Sequence, residues 1–242
     1  MTGAPGLRAD QLTTELRDAD RVFRLDVSNL HLAPGTVVAL GGPSGSGKTL
    51  LLELLGLLRR PNPPARFSFH STGGKVTDLA RLWSGRSAEL AATRGRLFGF
   101  VPQSGGLLPF LTVAENIRLT QRIAGRDEPQ WVDSLLETLG LASIRHLRPG
   151  ALSIGQRQRT AIARALAHRP ALILADEPTA ALDPDASDTV MRLFLSLAHG
   201  TGCGVFLSSH DLDLVDRHGI SRLSLVVETH GNRITSRLEG LG

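Results

Sequence analysis

The sequence predicts an α/β fold with a mostly parallel central sheet, an antiparallel β edge subdomain and a helical subdomain. A β-branched run at Thr36–Leu40 leads into a glycine-rich loop and then into a leucine-rich stretch, which is typical of a strand, a turn and a helix. Two further apolar runs, Ala171–Ala175 and Gly204–Ser208, each deliver polar residues at their carboxyl ends, as buried parallel strands do beside a site. The alternation of helix-like and strand-like segments after residue 152 favours the same fold class.

The first sixty residues contain the predicted entry to the sheet. Residues 1–20 are polar without clear periodicity, so we expect a frayed or edge segment there. Val22–Leu32 alternates weakly between apolar and polar residues, which predicts an edge strand. Thr36–Leu40 is expected to be a buried strand, and Thr49–Arg60 a helix that Pro61 ends.

The middle of the chain changes in composition. Residues 61–95 are rich in Pro, Gly and Ser with short strand-like pieces such as Phe67–His70, and they predict a small antiparallel patch at the domain edge. Leu97–Val101 is strand-like, and helices are expected around Val113–Ile123 and Pro129–Leu139.

The C-terminal part is predicted to close the sheet with a hairpin. Ser153 and Gln156 form the capping-box pattern S-x-x-Q, which predicts a helix from there through Ala167. Leu223–Thr229 and Asn232–Leu238 flank a His-Gly turn signal, so we expect them to be paired strands.

The composition indicates a globular protein. The chain has 242 residues, of which 41% are hydrophobic and 21% charged, enough for one large α/β domain or two small ones. The longest apolar stretch, Leu50–Leu58, is interrupted by Glu53 and is too short to cross a bilayer. The N-terminus carries no recognisable export signal, and the single cysteine, Cys203, excludes an internal disulfide. These features predict a reducing, cytoplasmic setting.

The positive charge does not indicate a nucleic-acid-binding protein. The net charge is +4, but the basic residues are scattered, without the Lys/Arg tracts or interleaved aromatics that single-strand binders use. Only two of the 27 basic residues are lysines, Lys48 and Lys75. A lysine in the glycine-rich loop of a chain that otherwise uses arginine points to a role for a compact ammonium group.

The glycine-rich loop predicts a phosphate-binding site. It reads G-P-S-G-S-G-K-T and lies between a predicted strand and a predicted helix, as the motif G-x-x-x-x-G-K-[ST] requires. Small residues let backbone N–H groups curl around phosphates at the positive end of the helix. Lys48 is expected to reach the β- and γ-phosphates of ATP, and the Thr49 hydroxyl to ligate Mg²⁺. The predicted binding residues are Gly42, Pro43, Ser44, Gly45, Ser46, Gly47, Lys48 and Thr49.

A pair of carboxylates forms the second candidate site. Asp176 and Glu177 follow the apolar run that ends at Ala175, and consecutive side chains at a strand end need different roles. Asp176 fits the support of Mg²⁺, and Glu177 fits a base that orients the attacking water. On its own, Asp-Glu-Pro is more often a plain acidic turn before a helix.

The third candidate, Leu152–Gln156, reads L-S-I-G-Q. Taken alone it indicates only a capped helix start. An exposed helix N-terminus that carries a glycine is also able to bind an anion.

Six motifs in order make the chain resemble the nucleotide-binding subunits of ABC transporters, from about Val22 to His210. They are the loop at Gly42–Thr49 (Walker A), F-V-P-Q with Gln103 (the Q-loop), L-S-I-G-Q (the signature), A-L-I-L-A-D-E-P (Walker B), A-L-D with Asp183 (the D-loop) and S-S-H-D with His210 (the H-loop). The resemblance implies a P-loop NTPase core in a single domain spanning 1–242. Residues of about 22–95 and 165–242 would form the core and the antiparallel edge, and about 104–164 the helical subdomain that carries the signature.

The resemblance also implies roles for the remaining motif residues. Two copies would pair head to tail, with ATP between the loop of one copy and the signature of the other. In that arrangement Ser153, Gly155 and Gln156 would contact the nucleotide across the interface, and Asp183 would bridge the two copies.

The same resemblance implies the catalytic set within one copy. Gln103 would sense Mg²⁺ and the attacking water, and His210 would hold the γ-phosphate and the water. Lys48 and Glu177 complete the set, while Thr49, Gln103 and Asp176 would serve the metal.

Partners and location follow from the resemblance as well. The chain would drive separately encoded membrane (permease) subunits from the cytoplasmic face of the inner membrane. F-G-F-V-P-Q followed by L-L-P-F-L-T-V-A-E-N-I at Leu107–Ile117 resembles the macrolide-export and lipoprotein-release exporters. The alternative is a non-transport ABC ATPase of the cell-division signalling type, which uses the same motor.

One departure from the family concerns the adenine contact. The family usually stacks adenine on an aromatic residue upstream of the loop, and this chain contains no tyrosine. Phe23 is the only upstream aromatic residue, although its position is that of a strand core residue. Arg17 or Arg21 could stack instead through a guanidinium face.

Overall fold

The computed structural model describes residues 4–240, and within them it contains one mixed sheet. The strand order is β5-β4-β1-β2-β10-β9-β3-β8-β7-β6. The strands are β1 (Gly6–Asp18), β2 (Arg21–Leu32), β3 (Val37–Gly41), β4 (Arg66–His70), β5 (Val76–Asp78), β6 (Phe98–Val101), β7 (Leu172–Ala175), β8 (Gly204–Ser208), β9 (Ser221–His230) and β10 (Arg233–Gly240).

The sheet has a parallel half and an antiparallel half. Strands β9, β3, β8, β7 and β6 are joined by parallel pairs, whereas β5, β4, β1 and β2 are joined by antiparallel pairs. Strand β10 links the halves, since it runs parallel to β2 and antiparallel to β9. The predicted fold class, a mostly parallel central sheet with an antiparallel β edge, is confirmed.

The helices of the described part lie between these strands in the chain. They are α1 (Lys48–Leu55), α2 (Ser87–Leu97), α3 (Val113–Ala124), α4 (Pro129–Thr138), α5 (Ile154–Leu166), α6 (Pro184–Thr201) and α7 (Leu212–Arg217), with 3₁₀ turns at Arg81–Ser84, Ala142–Ile144 and Pro149–Ala151. Within residues 4–240, no helix combines the length and the apolar character that crossing a bilayer requires.

Successive residues of the parallel strands pack in two separate hydrophobic cores, one on each face of the sheet. On β7, Ile173 packs with the cluster that includes α3 to α7, and its neighbour Leu174 packs with the cluster that includes α1, β1 and β2. Because side chains alternate across a strand, every central strand needs apolar residues on both faces. The continuous apolar runs therefore identified β7 and β8 correctly.

The prediction for the N-terminal segment was wrong. Apart from residues 1–3, which lie outside the described part, residues 1–20 contain the strand β1, which pairs with β2 on one side and β4 on the other. Its Leu7, Ala9 and Leu12 are buried, and Gln11 has φ 60°. The left-handed residue shifts the alternation of inward side chains, which hides the strand from a periodicity test. Strand β2 is likewise internal and lies between β1 and β10.

Two helical segments also differ from expectation. Helix α1 ends at Leu55 instead of continuing to Arg60, because Gly56 caps it and Leu57 turns into the left-handed region with φ 57°. Leu57 is fully buried there. Most of helix α2 lies in the segment expected to be an antiparallel patch, and Thr93 is its only buried residue. A helix that buries so little leaves almost no apolar periodicity in the sequence.

Candidate functional site

The loop between β3 and α1 takes conformations that its glycines make accessible. Gly42, Gly45 and Gly47 have φ values of 137°, 76° and 92°, in a region that other residues rarely adopt. A Cβ atom at Gly42 would lie 2.9 Å from Ser46 Oγ, and one at Gly47 would lie 2.9 Å from the Phe23 ring. Backbone conformation therefore favours glycine at all three positions, and the close neighbours favour it at Gly42 and Gly47 as well.

Lys48 is buried at the start of α1 and is held by the loop itself. Its Nζ donates hydrogen bonds to Gly42 O at 3.0 Å and Pro43 O at 3.2 Å. Burial lowers the pKa of Lys48, and the nearby carboxylates of Glu177 and Asp176 partly oppose this shift. The ammonium group is thus positioned at the base of the loop, close to two acidic residues.

Asp176 joins the loop to the end of β7. Thr49 Oγ1 donates to Asp176 Oδ2 at 2.6 Å, and Ser208 Oγ donates to Asp176 Oδ1 at 2.7 Å. The Asp176 N–H donates to Val101 O on the neighbouring strand. With both carboxylate oxygens bonded and only 3% of the residue exposed, Asp176 has a fixed orientation.

Glu177 faces the cleft instead of the core. It has φ 47°, and its N–H donates to Ser208 Oγ at 2.9 Å. Its Oε1 lies 2.7 Å from His210 Nε2, and its Oε2 accepts a hydrogen bond from Gln103 Nε2 at 3.2 Å. The left-handed turn at Glu177 separates the two adjacent carboxylates, as the sequence reasoning required.

These residues line one open cleft of about 560 Å³. Of the predicted site residues, those on its wall are Ser44, Gly45, Gly47, Lys48, Thr49, Gln103, Glu177 and His210. Asp176 lies just beneath the wall through its bond to Thr49. The structure therefore brings together the predicted catalytic residues, which are separated by up to 162 positions in the chain.

The cleft wall includes two apolar residues from β1 and β2. Leu16, which is 38% exposed, and Phe23 both line it. Arg17 does not line the cleft; its side chain is 75% exposed and pairs with Glu15 at 3.4 Å. Arg21 is not among the lining residues either. Of the three residues considered for the adenine contact, only Phe23 lines the cleft, and Leu16, which lines it as well, was not foreseen.

The signature residues do not line this cleft. Ser153 Oγ accepts a hydrogen bond from the Gln156 N–H, and the Gln156 side chain accepts one from the Ser153 N–H, which forms the predicted capping box. Ser153 is exposed, and Gly155 packs beside Ala181 and Leu182. Asp183 caps α6 through the Ala186 N–H.

The segment after Gln103 is bound to the helices. Arg164 of α5 donates to the carbonyls of Gly105 at 3.0 Å and Gly106 at 2.7 Å. Asn116 of α3 bonds both the N–H and the carbonyl of Leu108. Helix α5 begins at the signature. Its hydrogen bonds therefore connect the signature to the segment that follows Gln103, which we call the Gln103 loop.

Sequence reasoning missed two serines. Ser208 bonds both Asp176 and Glu177, and its position at the end of the predicted strand β8 was an available signal. Ser236 Oγ donates to Ser46 O at 2.7 Å from within β10. Nothing in the sequence distinguishes Ser236 from any other strand serine.

The donor groups around Thr49 and Asp176 fit a magnesium ion held together with phosphates. Both side chains supply oxygen atoms, which Mg²⁺ prefers, and Mg²⁺ commonly binds one or two protein groups plus substrate phosphates. In the described residues no group of three or more His, Cys, Asp and Glu side chains could hold a metal alone. These oxygen atoms, next to a loop suited to binding phosphates, fit a site in which protein and phosphate groups hold the ion together.

Comparisons with known proteins agree with this geometry. The ABC transporter family profile matches residues 25–180. The lipoprotein-releasing system ATP-binding protein LolD 1 of Rhodospirillum rubrum is 39% identical over 217 residues, covering 87% of this chain and 91% of the relative. The LolD protein of Maricaulis maris is 41% identical over 207 residues, covering 84% and 86%.

Solved structures are similar over nearly the whole chain. One is a dimeric ATP-binding cassette in a post-hydrolysis state bound to ADP and phosphate. It has a TM-score of 0.79 and 29% identity, with 98% of this chain and 99% of that chain covered. A second dimeric bacterial cassette gives a TM-score of 0.78 and 30% identity over 98% and 99% of the two chains.

Proposed function

The chain belongs to the ABC transporter family as an ATP-hydrolysing subunit, and from this premise we propose that it powers the release of lipoproteins from a membrane. The observation that carries the proposal is the convergence of Lys48, Asp176, Glu177, Gln103 and His210 on one cleft beside the glycine loop. The cargo class comes from the names of its relatives, which are lipoprotein-releasing ATP-binding proteins. Their names favour transport over the cell-division signalling alternative.

The geometry supports a specific division of work during hydrolysis. A water oxygen attacks the γ-phosphorus, the Glu177 carboxylate accepts the proton of that water, and the bond from the γ-phosphorus to the β-bridging oxygen breaks to leave ADP. His210, 2.7 Å from Glu177 Oε1, orients the base and the water. Lys48 stabilises the charge on the phosphate oxygens from inside the loop.

Gln103 gives this site a means of control. In this structure it donates to Glu177 Oε2, so it occupies the oxygen that the base would use. Movement of the Gln103 loop with Arg164 and Asn116 would free that oxygen. When bound, Mg²⁺ would be held by Thr49 and Asp176, with Gln103 near it, and would neutralise charge on the β- and γ-phosphates.

A second copy of the chain would complete the site. Ser153 and Gly155 are exposed or half-buried at a helix N-terminus and lie outside the cleft of their own chain. A helix N-terminus stabilises a phosphate that reaches it. Head-to-tail pairing would bring these groups to the γ-phosphate held by the partner's loop.

Site-specific crosslinking tests the pairing. We expect a short bis-maleimide to join Ser44→Cys on one copy to Ile154→Cys on the other, with ATP present and Glu177→Gln to prevent turnover. Ile154 is 64% exposed. The native Cys203 should stay silent, because burial raises the pKa of its thiol to about 12. Equal crosslinking with and without ATP, or none in either case, would contradict the head-to-tail dimer.

A membrane subunit is the proposed partner at the face next to the Gln103 loop. Phe110 follows this loop and is 67% exposed, and an aromatic side chain at that exposure is a suitable anchor. We expect the tagged chain to capture a multi-span protein from detergent-solubilised membranes. Phe110→Asp should abolish the capture and keep ATP binding.

The matched control for this experiment is Val76→Asp. Val76 is 52% exposed but lies on β5, at the opposite edge of the sheet from β6. It should retain the membrane subunit. Lipoprotein release from vesicles that contain the captured complex, dependent on ATP, would then establish the cargo, whereas a complex that hydrolyses ATP without releasing lipoprotein would refute it.

A further inference from the structure

A buried serine of the last strand is bonded to the phosphate-binding loop. Ser236 lies on β10 with no exposed surface, and its Oγ donates to Ser46 O at 2.7 Å across a separation of 190 residues. Within the described residues, Ser46 O makes no other hydrogen bond. The Ser46 hydroxyl is itself buried without a hydrogen-bond partner there. The carbonyl of Ser46, not its side chain, is therefore the point of attachment.

The C-terminal hairpin, β9 and β10, packs against the phosphate-binding loop. Ser236 is opposite Leu25 of β2 and Val227 of β9. Strand pairing on both sides of β10 therefore fixes its position. On β9, Leu225 O lies 3.1 Å from where a Cβ of Gly42 would be. The hairpin thus approaches the loop near its start and near its end.

The direction of one peptide group connects Ser236 to the cleft. The Ser46–Gly47 peptide is not among the cis bonds of the structure, and in a planar trans peptide the C=O and the N–H point in opposite directions. Because the Ser46 C=O points to Ser236 in the core, the Gly47 N–H points away from the core. Gly47 lines the cleft, and no described residue accepts a hydrogen bond from its N–H.

We propose that Ser236 is a positioning residue for ATP binding, because its hydroxyl fixes the Ser46–Gly47 peptide so that the Gly47 N–H faces the phosphates. Gly47 has φ 92°, a glycine tolerates other φ values equally well, and within the described residues the bond from Ser236 is the hydrogen bond that holds this peptide group. Lys48 holds the beginning of the loop through Gly42 O and Pro43 O, and Ser236 holds its end. The inference rests on the proposed role of the loop in binding phosphates.

A graded series of substitutions tests the hydrogen bond. Ser236→Thr keeps the hydroxyl, Ser236→Cys replaces it by a weak donor of similar size, and Ser236→Ala removes it. We expect the KM and Kd for ATP to rise about tenfold in the alanine variant and less in the cysteine variant. The threonine variant should stay near wild type, and kcat at saturating ATP should change less than about twofold. If the alanine variant is insoluble, the cysteine variant answers the same question.

Binding of inorganic triphosphate distinguishes positioning from general stability. This probe has no base or sugar, so the proposal predicts the same fold-loss for triphosphate as for ATP. Thr14→Val is the matched control, since Thr14 is 3% exposed and is also opposite Leu25, but has no hydrogen bond to the loop in the described part of the chain. It should change the unfolding temperature without changing triphosphate affinity.

Two outcomes separate this inference from the proposed function. Wild-type triphosphate affinity in the Ser236→Ala variant, or in both Ser236→Cys and Ser236→Thr if the alanine variant is insoluble, would overturn the role of Ser236. A loss that follows unfolding temperature in all variants including Thr14→Val would overturn it as well. Normal triphosphate binding in Lys48→Ala, which removes the ammonium group, would instead overturn the proposed role of the loop.

Discussion

The two ends of the proposed ATP site are built in different ways. At the loop end the side chains are buried and hydrogen-bonded: Lys48 donates to carbonyls of the loop, and Asp176 accepts from Thr49 and Ser208. At the signature end, Ser153 is exposed and its hydrogen bonds only cap its own helix. Both ends present a helix N-terminus, and in our proposal only the loop end is completed within one chain.

In our proposal this difference lets the assembly of two copies switch ATP hydrolysis on. A buried network holds its groups in place before the nucleotide arrives, so it costs little reorganisation on binding. An exposed helix end contributes nothing until another surface brings a phosphate to it. Binding is therefore a property of one chain in our proposal, and hydrolysis a property of two.

The largest expected effect comes from replacing Glu177, the general base at the loop end. Glu177→Gln should leave ATP binding intact and slow hydrolysis by at least about 100-fold, because an amide cannot accept the proton of the attacking water. ATP-bound dimers should accumulate and be visible by size-exclusion chromatography with light scattering. Glu53→Gln is the control, since Glu53 lines the same cleft but pairs with Arg59 at 3.2 Å. A monomeric Glu177→Gln with wild-type turnover would contradict the mechanism.

The second effect concerns the compact ammonium group. Lys48→Arg keeps the charge but must fit a planar guanidinium where Nζ now bonds two loop carbonyls. We expect ATP affinity to fall about 30-fold, which corresponds to about 2 kcal/mol, as measured by calorimetry. Lys75→Arg changes the only other lysine and should bind as wild type. ATP affinity in Lys48→Arg within about twofold of wild type would remove the argument for a size requirement.

The third effect separates the two ends directly. Ser153→Ala should lower hydrolysis about tenfold and leave the ATP affinity of the monomer unchanged. It also loses a helix cap worth about 1 kcal/mol, so stability must be controlled. Thr112→Ala loses the same kind of capping box, formed with Glu115 on α3, and should keep full activity per folded molecule. A matching loss of activity in Thr112→Ala would reduce the role of Ser153 to capping.

Sequence reasoning found the loop end because its chemistry is local. The loop and Asp176-Glu177 each follow a strand whose apolar run is visible, and strand ends meet at one edge of a parallel sheet. The roles of Gln103 and His210 came only from the resemblance to the family. The contacts that the sequence did not reveal are those across the sheet. Ser208 could have been inferred from the end of β8, but Ser236 depends on the placement of β10 beside β2, which only the fold supplies.

The β edge shows why the remaining part of the fold was mispredicted. Strand β1 carries a left-handed residue at Gln11 and pairs on both sides, so its burial pattern breaks in the middle. Helix α2 buries one residue and has no apolar stripe. In both cases tertiary contacts override a local pattern that is weak or absent.

The smallest expected effect concerns recognition of the nucleotide's adenine ring, for which the cleft offers the least specific contacts. Phe23→Ala should lower ATP and GTP affinity alike, by about fivefold, because Phe23 and Leu16 offer apolar surface without hydrogen-bond readout. Phe23→Leu keeps the packing against Gly47 and should lose less. Arg17→Ala should have no effect, as Arg17 is 75% exposed and pairs with Glu15. If Arg17→Ala lowered affinity and Phe23→Ala did not, a guanidinium would be the base contact, and the cleft would have to close around the nucleotide to bring it there.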